Sequence, residues 1–145
     1  MLHFFYSPEG KLVKVATECK DATPIDAEGN KNTARWDFTT LEIAEKIAAD
    51  ATELTGEKYI ATDAGDWCSP RYDVIRAPKV GDEVSKAFNG DYYPEGTIVK
   101  ISDSMRRIET STGKVFFRRK KTGSWLYKGM WSMVGGHTNR WNPEF

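Results

Sequence analysis

Two periodicities of apolar residues divide this chain. Between Thr39 and Thr55, Leu41, Ala44, Ile47, Ala48, Ala51 and Leu54 recur at helical spacing and mark one buried stripe of an α-helix. Thr39 caps it, with Glu42 completing a capping box, Phe38 and Ile43 forming a hydrophobic staple, and Gly56 supplying a left-handed stop. At the usual rise per residue this helix spans about 25 Å, enough to cross a small sheet. The other apolar runs are short and bounded by Gly, Pro and Asn, the pattern of strands and turns. Leu2–Tyr6 and Lys11–Ala16 flank Ser7-Pro8-Glu9-Gly10, which suits a type I turn. Residues 17–34 are polar and irregular, a mobile loop by composition. Tyr59–Thr62 and Tyr72–Arg76 follow the helix, joined by DAGDWCSP.

From Val80 to Trp131 the strands come at close spacing: Glu83–Phe88, Thr97–Ser102, Arg106–Thr110, Val115–Lys120, Trp125–Tyr127 and Met130–Val134. Asn89-Gly90, Gly96, Gly113 and Gly123 stand where the turns need positive φ. The longest connection is Asn89–Gly96. Short strands with Gly-bearing turns predict a small barrel. Alternation predicts a core of Val84, Ile98, one of Val99 and Ile101, Ile108, one of Phe116 and Phe117, and Trp125. The fold class is therefore α+β. A small N-terminal α/β unit with one amphipathic helix occupies 1–78, and a barrel with an aromatic C-terminal tail occupies 79–145. The boundary falls at Ala77–Lys79.

Charge sharpens this division. The formal net charge is zero, yet residues 1–78 carry 9 basic against 14 acidic side chains and residues 79–145 carry 12 against 7. Such a split fits two mutually attracting modules or a basic face for an acidic partner. No signal peptide is expected ahead of the two cysteines, Cys19 and Cys68, and no apolar stretch approaches a membrane span. A soluble, reducing compartment with free thiols and no membrane partner is expected.

Three groups of residues bear on function. Arg118-Arg119-Lys120-Lys121, with Arg106, Arg107, Lys100 and Lys114, form a basic barrel edge that suits nucleic acid. Alternation sends Arg118 and Lys120 one way and Arg119 the other, so a charged edge strand guarded against aggregation is the favoured account of the run. The second group is the Asn89–Gly96 loop. Tyr92 and Tyr93 beside Pro94 resemble peptide-docking aromatics, and Asp91 and Glu95 add acidic specificity for a basic partner site. The third group is the aromatic end: Trp125, Trp131 and Trp141 with Phe116, Phe117, Tyr127 and Phe145. A small barrel does not bury all of these, which leaves Trp131 as a further binding anchor. His3, His137, Cys19 and Cys68 have no metal-ligand spacing, so neither metal nor cofactor is expected. Asp63, Asp66 and Asp73 fit no calcium loop, and neither histidine lies in a nucleophile elbow.

The strings SPRYDVIRAPKVGDEV, AFNGDYYPEGTIVKIS, TSTGKVFFRRKKTGSW and GMWSMVGGH…NPEF resemble a family of small proteins encoded by tailed bacteriophages, over residues 57–145. The family has no assigned activity. The resemblance implies a phage accessory protein acting in the host cytoplasm. The strand and turn order also resembles an SH3-like barrel, a likeness of fold alone. The expected function is a non-enzymatic binding protein that engages a host or phage protein. The alternative is nucleic-acid binding through the basic edge. A third reading is a nuclease or hydrolase using Asp63, Asp66 or His137.

Overall fold

The computed structural model describes residues 2–17, 23–25, 28–63, 71–89 and 91–136. Cys19, Asp66, Cys68, His137, Trp141 and Phe145, named above, lie outside them. The chain divides into two compact units, Met1–Ala77 and Pro78–Phe145. The whole is α+β: one helix among the described residues, two small sheets and a closed antiparallel barrel.

In the first unit β1 (His3–Tyr6) pairs with β2 (Leu12–Ala16) and with β3 (Thr33–Arg35), giving the order β2-β1-β3. The Ser7–Gly10 turn closes with the Gly10 N–H donating to Ser7 O at 2.9 Å, and Gly10 has φ 84°. β3 overlaps the end of the stretch 17–34 expected to be a loop. Its sequence, Thr-Ala-Arg, has no large apolar residue to mark a strand. The helix α1 runs Leu41–Thr55. Its cap is Thr40, not Thr39. Thr40 is extended, and its hydroxyl accepts the Ile43 N–H at 3.1 Å. The residue nearest the helix holds the free amides. Gly56 ends the helix at φ 80°. The buried stripe is Ala44, Ile47, Ala48 and Ala51. It stops one turn early, leaving Leu54 46% exposed.

Small alanines let α1 lie close to β4 (Tyr59–Asp63) and β5 (Tyr72–Arg76), an antiparallel pair. Phe4, Phe38 and Tyr59 meet edge to face, with centroids 6.1 and 6.4 Å apart, and Val74 and Leu12 join the same cluster. No described helix is long and apolar enough to cross a membrane.

The second unit contains β6 (Glu83–Phe88), β7 (Asp91–Ile101), β8 (Arg107–Thr110), β9 (Val115–Arg118), β10 (Trp125–Tyr127) and β11 (Trp131–Gly135). They close in the order β10-β11-β6-β7-β8-β9. β7 overturns the expected Asn89–Gly96 loop. Asn89, at φ 51°, begins the turn out of β6, and Asp91–Pro94 pair with Phe88–Ser85. β7 faces β6 through its first half and β8 through its second, with register shifts near Glu83/Ser85 and Ile98/Lys100. Gly96 lies between the two halves at φ 73°. A Cβ there would run into the Ser111 hydroxyl, so the strand turns where only glycine fits. Pro94 is tolerated because β8 does not reach it. Pro and Gly thus imitate a loop while shaping one long bent strand.

Val84, Ile98, Ile108, Phe116 and Trp125 are buried, as alternation predicts. The two open choices resolve to Ile101 and Phe116, since Val99 and Phe117 face outward. The Trp125 indole N–H donates to Met105 O at 2.8 Å. β9 ends at Arg118 rather than Lys120. A turn follows, tied by the Gly123 N–H to Arg119 O at 2.8 Å.

Candidate functional site

Residues two apart on a strand share a face. From buried Val84 the interior row of β6 continues to Lys86 and Phe88. From Phe116 it runs back to Lys114, and from Trp125 on to Tyr127. Register confirms the shared face: Lys86 lies opposite both Tyr93 and Met133, and Tyr127 opposite Trp131. At this end of the barrel the interior becomes polar and aromatic. The mouth forms an open groove of about 400 Å³, lined by Lys86, Tyr93, Glu95, Thr112, Lys114 and Trp131 among others.

Glu95 is the floor, 2% exposed. Lys114 Nζ lies 2.9 Å from Oε1 and 3.2 Å from Oε2, and Lys86 Nζ lies 3.5 Å from Oε1. The Thr112 hydroxyl donates to Oε2 at 2.5 Å. Thr112 is 2.9 Å from the Thr110 hydroxyl, which donates to it once the Thr112 proton is committed to Glu95. Burial opposes ionisation of Glu95. Hydrogen bonds from Thr112 and Lys114, with the charges of Lys114 and Lys86, outweigh it and hold the carboxyl below its ordinary value of 4.5. The buried carboxylate is fully partnered, as burial demands.

Above the floor lie the rings. Trp131 sits between Phe88, 5.7 Å away, and Tyr93, 5.8 Å away and near perpendicular. Lys86 Nζ stands over the Trp131 ring at 4.8 Å and the Tyr93 ring at 6.0 Å. Lys114 and Lys128 both lie over Tyr127, at 5.9 and 5.3 Å. These are cation–π distances. Lys86 and Lys114 are thus held by ring faces as well as by Glu95.

The five residues expected to bind a partner, four in the loop and Trp131 beyond it, are distributed differently. Tyr93 and Trp131 come together in the mouth. Tyr92, opposite Ala87, is half-buried on the other face of β7. Asp91 begins β7, opposite Phe88. Glu95 is not presented to solvent, because its two oxygens are consumed by Lys86, Lys114 and Thr112. Phe88 and Lys86 were missed, although counting by twos from Val84 reaches both.

The eight basic residues do not form one edge. Lys100 is exposed on β7. Lys114 is in the mouth. Arg118 is half-buried on the interior row, its Nε–H donating to Gly123 O at 2.9 Å and its guanidinium 5.0 Å from the Trp125 ring. Arg119, Lys120 and Lys121 are exposed around the turn after β9, and Arg106 and Arg107 are exposed at the start of β8. Arg107 pairs with Phe117, which is 58% exposed on the outer face. An outer hollow of about 540 Å³ runs from Val115 and Phe117 across Leu126 to Arg119 and Lys128.

In the first unit, burial and the nearby charges of Asp37 and Asp63 push the Asp73 carboxyl above its ordinary value of 3.8. Among the described residues no group of three or more His, Cys, Asp or Glu is arranged to hold a metal ion. No family model, curated protein or solved structure matches this chain.

Proposed function

We propose that this chain is a non-enzymatic binding protein that engages another protein through the mouth of its barrel. The observation that carries the reading is the convergence of Phe88, Tyr93 and Trp131 with two lysines on one concave end of a rigid scaffold. Barrel mouths are preferred binding positions, and exposed aromatic clusters are where interaction hot spots concentrate. The barrel is closed, so a partner cannot bind by adding a strand to a free edge. Recognition falls to side chains. The small, tightly turned barrel supports an SH3-like identity. The resemblance of residues 57–145 to phage proteins is the ground for a host or phage partner in the host cytoplasm.

The outer face supports a second reading. Phe117 is widely exposed and lies directly opposite Arg107, an aromatic beside a cation, as single-stranded nucleic acid requires. Photo-crosslinking separates the two. A crosslinking amino acid at position 93 captures protein, and Trp131→Ala abolishes that capture, if the mouth is the site. Capture of nucleic acid from position 117, steeply lost with added salt, transfers the function to the outer face.

A further inference from the structure

We propose that the mouth receives an acidic peptide segment. A carboxylate of the partner meets Lys86 and Lys114, and an adjacent apolar side chain lies on Phe88 and Trp131. This rests on the reading of the mouth as a protein-binding site and names what enters it.

Charge decides the class. The groove holds two ammonium groups and one carboxylate. The carboxylate is at the bottom, 2% exposed, whereas the two lysine side chains are 21% and 27% exposed. A ligand therefore meets the cations and not the anion. Each ammonium has three N–H donors, more than the two oxygens of Glu95 and the hydroxyl already bound to one of them require. In a partly desolvated groove this surplus of one positive charge favours an anion and repels a basic segment. The sequence pointed the other way, to acidic specificity from Asp91 and Glu95. Burial of Glu95 reverses the sign.

The rings decide between a peptide and a nucleic acid. Single strands need open aromatic faces for their bases. Lys86 lies over the Trp131 face and reaches Tyr93, so a base would have to displace a cation held by two rings and a carboxylate. A carboxylate leaves Lys86 in place and bonds to it. The ring beside it, Phe88, is 45% exposed and 5.7 Å from Trp131; it is apolar and suits an aliphatic or aromatic neighbour.

The test is selection of random peptides from a displayed library on the full chain, followed by titration of the enriched sequences. The expected winners carry Asp or Glu next to an aromatic or aliphatic residue. Trp131→Ala abolishes their binding. Lys86→Met weakens it by at least about tenfold, the size of one charge-assisted hydrogen bond, and Lys86→Arg restores it. Lys86→Met leaves Glu95 paired with Lys114, and amide spectra of every variant establish its fold before affinity is read. Winners that depend on Trp131 but are neutral or basic overturn the acidic class and leave the mouth as a protein site. Winners indifferent to both Trp131→Ala and Tyr93→Ala, or no winners, remove the mouth reading and this proposal with it. Displacement of the acidic peptides by an oligothymidylate that binds through Trp131 overturns the proposal in favour of nucleic acid.

Discussion

Replacing Glu95 by alanine strikes the one buried ion cluster described in the barrel. The substitution removes the acceptor for Thr112 and strands two ammonium groups against aromatic rings. Breaking a buried ion pair from one side typically costs about 3–5 kcal/mol. Lys86 and Lys114 retain roughly a fifth to a quarter of their exposure and can turn partly to water, which lowers the expected loss to about 3 kcal/mol. Glu95→Gln keeps an acceptor for Thr112 and loses only the charge, so about 1–2 kcal/mol is expected. Urea unfolding followed by the amide signals of Ile98 and Ile108 reports on the barrel alone. The pH dependence carries the same signature. The folded carboxyl titrates below its ordinary value of 4.5. Its stabilisation is therefore complete above that value and is lost as pH falls through the depressed one. Glu95→Gln flattens this acid limb. The triple variant Glu95→Leu, Lys86→Met, Lys114→Met, which replaces the cluster by apolar groups, recovers most of the stability while abolishing peptide binding. A Glu95→Ala barrel within about 0.5 kcal/mol of wild type, the range of a neutral surface change, would refute the view that this cluster holds the mouth together.

Ile108→Ala is expected to cost about 2–5 kcal/mol and Phe117→Ala under about 1 kcal/mol, because Ile108 is fully buried and Phe117 is not; equal losses in urea would reverse the register of β8 and β9. Gly96→Ala places a side chain at φ 73° against Ser111 and is expected to cost more than about 1 kcal/mol; an unchanged midpoint would show that β7 does not need its glycine. Asp73→Asn is expected to raise the melting temperature of the first unit at neutral pH. The folded Asp73 carboxyl titrates above its ordinary value, so its ionisation opposes folding and the gain fades as pH falls; a lower melting temperature at pH 7 excludes this.

The strands were legible wherever alternation ran four residues or more. The barrel core followed from it because each neighbouring pair has one inward member. β7 was illegible in its first half because Pro94 and Gly96 carry turn chemistry in any local reading, and only the pairing with β6 reveals a strand. The same error hid the site. With Asn89–Gly96 taken as a loop, nothing showed which of Tyr92 and Tyr93 is the outward one, and Glu95 looked exposed. As a strand, the segment sends the tyrosines to opposite faces and Glu95 beneath two lysines. Trp131 was identified from composition. Its partners Phe88 and Lys86 come from β6, more than forty residues earlier, and no local window joins them. The capping threonine was missed by one position, the ordinary uncertainty of a helix end.

Closure of the barrel also orders events in time. β6, β7, β8 and β9 pair with their sequence neighbours, and such short-range hairpins form early. The ring is sealed only when β11 lays Ser132–Gly135 along Ala87–Val84, and the Ser85 hydroxyl then donates to Gly136 O at 2.8 Å. That contact closes a loop of about fifty residues, the costliest in entropy. Trp131 is carried by this last strand, while Lys86, Tyr93 and Glu95 wait on the first two. The mouth therefore does not exist until the final seam forms. Any ligand that bridges Trp131 to Lys86 acts as a clasp across it, and slows hydrogen exchange at the β11 amides before any other part of the barrel.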